Sequence, residues 1–147
     1  MFRSFRFIPA LLFVMAAPAN AGPFADGLAA YEKKDYPTAL KVLKPLAVLG
    51  HAGAQHYLGS MYYFGHAVAQ DYLAAHMWTN IAVANGDLAA EKSRDEVARR
   101  LTPDQIVDAE RMAREWMAQH KGNVVSSIMP RNVKTIRIGP DGKPISE

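Results

Sequence analysis

The chain of 147 residues contains no cysteine. That excludes a disulfide framework, a thiolate-ligated metal and lipidation on an N-terminal cysteine, and it leaves the apolar core alone to hold the fold. Catalytic signatures are also missing. There is no H-E-x-x-H, no G-x-S-x-G, no S-x-x-K and no glycine-rich phosphate loop, so the best-defined zinc, serine and nucleotide chemistries have no motif here. Basic residues are not interleaved with aromatic ones as a nucleic-acid surface requires. The five histidines, His51, His56, His66, His76 and His120, show no i, i+4 pair and no cysteine partner, so no metal site and no cofactor are expected. His56 and Ser60 are four apart on a helical stretch, within hydrogen-bonding reach. With no orienting carboxylate or oxyanion hole evident in the sequence, catalysis there is not expected.

Long apolar runs are absent except near the start. Arg3 and Arg6 precede an apolar stretch from Phe7 to Ala17, and Ala19-Asn20-Ala21 closes it with small side chains. That order is a secretory signal, with cleavage expected between Ala21 and Gly22. The stretch falls short of the roughly 20 residues a permanent spanning helix needs. Both arginines leave with it and no acidic residue does, so 15 basic side chains face 14 acidic ones in the remainder. The alkaline pI of the whole chain therefore gives no reason to invoke nucleic acid. The expected compartment is the bacterial periplasm or the exterior.

What the chain does contain is an internal repeat. Asp35, Tyr36, Ala39, Gly50 and Ala54 return 36 residues later as Asp71, Tyr72, Ala75, Gly86 and Ala90. A period of that length marks stacked helix hairpins. Apolar spacing and cap chemistry predict six helices between Pro23 and His120. The first runs over about 23–34, and the second begins at the Asp35 cap, carries Leu40, Leu43, Leu46 and Ala47, and ends at Gly50. The third runs over about 52–64 and stops at Gly65. The fourth is capped by Asp71 and ends near Gly86, and the fifth covers about 87–101. Thr102, Pro103 and Gln105 form a capping box for the sixth, whose inner stripe is Ile106, Ala109, Ala113 and Trp116. The domain is read as hairpins of about 23–50, 52–86 and 87–120, the last a degenerate cap. From residue 121 onward the sequence reads as a flexible or extended basic tail, in which Val133, Thr135 and Ile136 carry strand chemistry.

The second hairpin resembles the Sel-1-like repeat, a branch of the tetratricopeptide-like α/α solenoids. The residues that carry the resemblance are Ala54, Leu58, Gly59, Tyr62 and Gly65, then Val68, Gln70, Asp71, Tyr72, Ala75, Trp78, Ala82, Gly86 and Ala90. One departure is Ala67, where the family's loop has a second glycine. Another is the first hairpin, in which Gly27 and Tyr31 match Gly59 and Tyr63 at an offset of 32. The resemblance implies an all-α, right-handed solenoid of about three hairpins that acts as a monomeric, non-enzymatic interaction module. Its partner would be a protein or peptide, bound on the concave face formed by the first helix of each hairpin. Tyr31, Glu32, His56, Ser60 and Tyr63 are not used by the packing motif on those helices, so they are the candidate contacts, with Tyr63 foremost. Some Sel-1-like proteins are linked to penicillin binding and β-lactam hydrolysis, so a cell-wall-related hydrolase or a β-lactam- or peptidoglycan-binding protein is the alternative.

Overall fold

The computed structural model describes residues 22–128, with side-chain surroundings as far as Lys121. The expected signal at 1–21 and the expected strand-forming residues Val133, Thr135 and Ile136 lie outside the described residues. Among the described residues there are six helices and no strand: α1 Pro23–Glu32, α2 Tyr36–Val48, α3 Ala52–Phe64, α4 Tyr72–Ala84, α5 Ala89–Ala98 and α6 Pro103–Ile128.

Local chemistry sets most of these bounds. Asp35 Oδ1 accepts from the Thr38 N–H at 3.3 Å and Asp71 Oδ1 from the Ala74 N–H at 3.0 Å, so the repeated aspartate is a repeated N-cap. The capping box before α6 is reciprocal: the Thr102 N–H donates to Gln105 Oε1 at 2.9 Å, and the Gln105 N–H to Thr102 Oγ1 at 3.3 Å. Gly65 ends α3 in the left-handed region at φ 72°, as a C-terminal glycine should. α1 ends two residues earlier than expected because Lys34 takes φ 62° and turns the chain directly into Asp35. α6 continues to Ile128, past the residue where helical patterning fades. No proline interrupts 122–128. Ala67 stands at φ 59°, holding a glycine conformation with a side chain.

The first two hairpins are built alike. A side chain at Gly27 would meet Leu43 Cδ2 at 2.7 Å, and one at Gly59 would meet Thr79 Cγ2 at 2.8 Å, so in both copies a glycine lets the helices of the pair touch. Tyr31 packs on Tyr36 and Tyr63 on Tyr72, each at 5.4 Å between ring centroids. The 32-residue offset on the first helix and the 36-residue offset on the second thus describe the same contacts. α4 lies at the center, packed by α3, α5 and α6. It accordingly buries Ala75, His76, Trp78, Thr79, Ile81 and Ala82 around most of its circumference. Leu43, Leu58, Met61 and Ile81 are fully buried, each stabilizing by about 1.5–3 kcal/mol relative to exposure.

The third pair differs. α5 and α6 both pack on α4 far more than on each other. Thirty-six residues after Leu58 and Gly59 stand Arg94 and Asp95, so the surface that closes the earlier hairpins is charged on α5. α6 fills the space instead, with Ala109 and Ala113 fully buried and Trp116 meeting Trp78 edge-on at 5.0 Å.

Candidate functional site

The first helix of each hairpin lies along one side of the molecule. α1 meets α3 through Tyr31 and Tyr57, whose rings form an edge contact at 5.0 Å. α3 meets α5 chiefly through His56. Its Nδ1 lies 3.1 Å from Asp87 Oδ2 and its Nε2 lies 2.8 Å from Ser93 Oγ. The carboxylate fixes the tautomer: Nδ1–H donates to Asp87, and in the neutral ring Nε2 accepts from the Ser93 hydroxyl.

Beyond that clasp, α3 and α5 diverge around a groove of about 240 Å³, lined by Gly59, Ser60, Tyr63 and Phe64 on one side and Lys92, Ser93, Glu96 and Val97 on the other, with Thr79 of α4 beneath. Thr79 packs against the bare Gly59 at the floor. Phe64 is 59% exposed at the rim. At the far end the Arg100 guanidinium sits 6.0 Å from the centroid of the Tyr63 ring, a cation–π distance. Glu96 is paired with Arg99 at 2.8 Å and Asp95 with Arg94 at 3.0 Å. Lys92 and Arg100 form no ion pair among the described residues.

The five candidate contacts are therefore not equivalent. Ser60 and Tyr63 line the groove. His56 lies next to it, occupied by Asp87 and Ser93, and Ser60 Oγ donates to the His56 carbonyl oxygen at 3.2 Å. Tyr31 belongs to a separate aromatic cluster, between Tyr36 and Tyr57, and burial together with those two neighbors raises its hydroxyl pKa. Glu32 is exposed at the end of α1, away from the groove. The repeat-motif residues Ala54, Leu58, Ala75, Trp78 and Ala82 are buried, while Tyr62 and Tyr72 are half-buried.

Lys92, Ser93 and Arg100 were not legible as site residues. They belong to the mixed-charge run 91–100, which reads as a solvated face. The available signal was the placement of Ser93 36 residues after Tyr57, on the face that α3 turns toward its neighbors. A second missed feature is a buried polar bridge: Gln55 Nε2 donates to the Ala47 carbonyl at 2.9 Å, while Gln55 Oε1 accepts from Asn85 Nδ2 at 2.8 Å. It ties α2, α3 and the end of α4 together.

Asp87, His56 and Ser93 stand in the order of a hydrolase triad, but acyl transfer also requires donors aimed at a developing oxyanion. The N–H groups that open α5 are taken: Ala89 donates to Asp87 Oδ1 at 3.0 Å, Ala90 to the Asp87 carbonyl at 3.1 Å and Glu91 to the Leu88 carbonyl at 3.2 Å. Ser93 lies a turn further in, where N–H groups serve the helix ladder. The trio holds α5 against α3. Among the described residues, no group of three or more His, Asp or Glu side chains is placed to hold a metal ion, and no helix is long and apolar enough to cross a membrane.

Hairpins stacked with their first helices along one face define a short α/α solenoid. No family model matches the chain, and neither does any curated protein. Among solved structures, the chain is similar to a protective antigen present in uropathogenic Escherichia coli strains that displays an SLR fold, with a TM-score of 0.63 and 26% identity over 77% of this chain. The fold is thus that of the Sel-1-like repeats. The chain spans about a quarter (26%) of that antigen's length.

Proposed function

We propose that the chain is an interaction module of the bacterial cell envelope that binds a peptide or protein segment in the groove between α3 and α5. The observation that carries this reading is the groove itself. Whereas the first two hairpins close through glycine, the space between α3 and α5 stays open past the His56 clasp, and the opening presents Ser60, Tyr63 and Phe64 together with Lys92. Tyrosine and phenylalanine supply large, rigid contact area at small entropic cost. The consumed donors at the start of α5 speak against the hydrolase alternative.

Photo-cross-linking in cells tests the proposal. A photoreactive side chain introduced at Ser60 should give a discrete adduct that is lost on Tyr63→Ala, while one at Leu49, exposed just past the end of α2, should not. Equal adducts from both positions, or an adduct indifferent to Tyr63→Ala, would overturn the groove as the binding site. Fractionation of the same cells should place the chain in the periplasm with Gly22 as its first residue. Recovery in the cytoplasm with residues 1–21 intact would overturn the envelope assignment.

A further inference from the structure

The chemistry of the groove specifies its occupant, if the groove is the binding site proposed above. At about 240 Å³ it is smaller than the roughly 300–1,000 Å³ of pockets that enclose whole small molecules. It suits one large side chain entering from an extended segment. The floor is apolar, made of the Gly59 backbone edge, the Thr79 methyl and Val97, with the Tyr63 and Phe64 rings as walls. Every polar group near the floor is already engaged. Ser60 Oγ is bonded to the His56 carbonyl, Ser93 Oγ to His56 Nε2, and Thr79 Oγ1 to the Ala75 and His76 carbonyls. A polar side chain inserted there would lose its water and gain little in return.

The rim carries the opposite message. Glu96 is neutralized by Arg99, which leaves Lys92 on the lining and Arg100 over Tyr63 as cations without a carboxylate partner among the described residues. Both are exposed, so a ligand can reach them without displacing an existing pair. We infer that the groove takes an acidic peptide segment, inserting one aromatic or large aliphatic side chain onto the Gly59–Thr79–Val97 floor with flanking carboxylates on Lys92 and Arg100.

Fluorescence anisotropy on the purified chain, with labelled short peptides of matched length, tests this. The probe is a phenylalanine flanked by aspartate and glutamate; the comparisons replace that phenylalanine with alanine or the acidic flanks with lysine. The acidic aromatic peptide should bind tightest. Loss of the ring should weaken binding about tenfold or more, the size expected from one buried apolar side chain. Reversing the charges of Lys92 and Arg100 together (Lys92→Glu with Arg100→Glu) should weaken it about three- to tenfold at low salt, and added salt should erase that difference. The lysine-flanked peptide should show the reverse preference on this variant.

Ser60→Trp plugs the groove from a position that contributes no core packing, and circular dichroism checks that helix content is kept. If acidic and basic peptides bind equally well and Ser60→Trp blocks both, the charge inference is wrong while the groove reading stands. If binding survives Ser60→Trp in a folded chain, the groove reading falls, and this inference with it. If no peptide of the set binds, the acidic-peptide assignment is refuted, and the cross-linking at Ser60 decides the groove reading separately.

Discussion

Gly59→Ala isolates the feature that lets α3 and α4 touch. The added methyl would lie 2.8 Å from Thr79 Cγ2, 3.2 Å from the Ala75 carbonyl oxygen and 3.3 Å from the Thr79 nitrogen. Two of those three atoms are backbone, so relief requires the helices to separate. Overpacking of this kind costs about 1–3 kcal/mol, against a helix-propensity gain of about 0.8–1 kcal/mol for replacing a mid-helix glycine. The expected net is a destabilization of up to about 2 kcal/mol.

Gly53→Ala is the internal control on the same helix. Its methyl would meet the tip of the Phe24 ring at 2.9 Å, which can swing aside, so it should be neutral or stabilizing by up to about 1 kcal/mol. Urea unfolding followed by the fluorescence of Trp78 and Trp116 should therefore rank Gly59→Ala below Gly53→Ala by about 1–3 kcal/mol. Thr79→Ser removes Cγ2 while keeping the hydroxyl that bonds to Ala75 and His76. In a double-mutant cycle it should restore about 0.5 kcal/mol or more to Gly59→Ala. If Gly59→Ala gains stability as Gly53→Ala does, the close approach of α3 and α4 is not what this glycine serves.

His76 should make stability depend on pH. It is 2% exposed, its Nδ1 is buried without a hydrogen-bond partner, and burial lowers its pKa, with Glu110 and Asp95 opposing that shift and Arg94 adding to it. The folded state therefore releases this proton more readily than the unfolded chain does. The resulting stability is complete above the ordinary histidine pKa of about 6.5 and is lost as the pH falls below it, with a slope of at most about 1.4 kcal/mol per pH unit. His76→Leu should flatten the curve in that range, and an unchanged slope would show that His76 is not its source. The Gln55 bridge gives a third test. Gln55→Leu removes both hydrogen bonds but leaves the Ala47 carbonyl bonded to the Gly50 N–H at 3.1 Å, so the cost should be about 1–2 kcal/mol by thermal unfolding. A loss as large as that of breaking a buried ion pair, about 3–5 kcal/mol, would mean that the bridge organizes more than these two contacts.

Much of this molecule is determined within short windows of sequence. Asp35, Asp71 and the Thr102–Gln105 box start their helices by satisfying N–H groups three residues away, and Gly65 ends one through its own φ. Such interactions need no distant partner, so they can be read from order alone. The 36-residue period and the glycines at 27 and 59 likewise fix which helices pair, because a missing side chain permits close approach wherever the partner lies.

The groove is a different kind of object. It lies where α5 is held to α3 by the His56–Asp87–Ser93 clasp, with Arg94 and Asp95 standing where Leu58 and Gly59 stand one repeat earlier and α6 packed on α4. Read along the chain, that substitution is only another part of a mixed-charge helix. Only the tertiary structure brings Ser93, 37 residues away in sequence, to 2.8 Å from His56. The sequence by itself determined the helices and the pairing of the first four, because those depend on local geometry. Where the stack stays open was decided by tertiary packing, since an opening is set by what fails to fill the space between elements far apart in the chain.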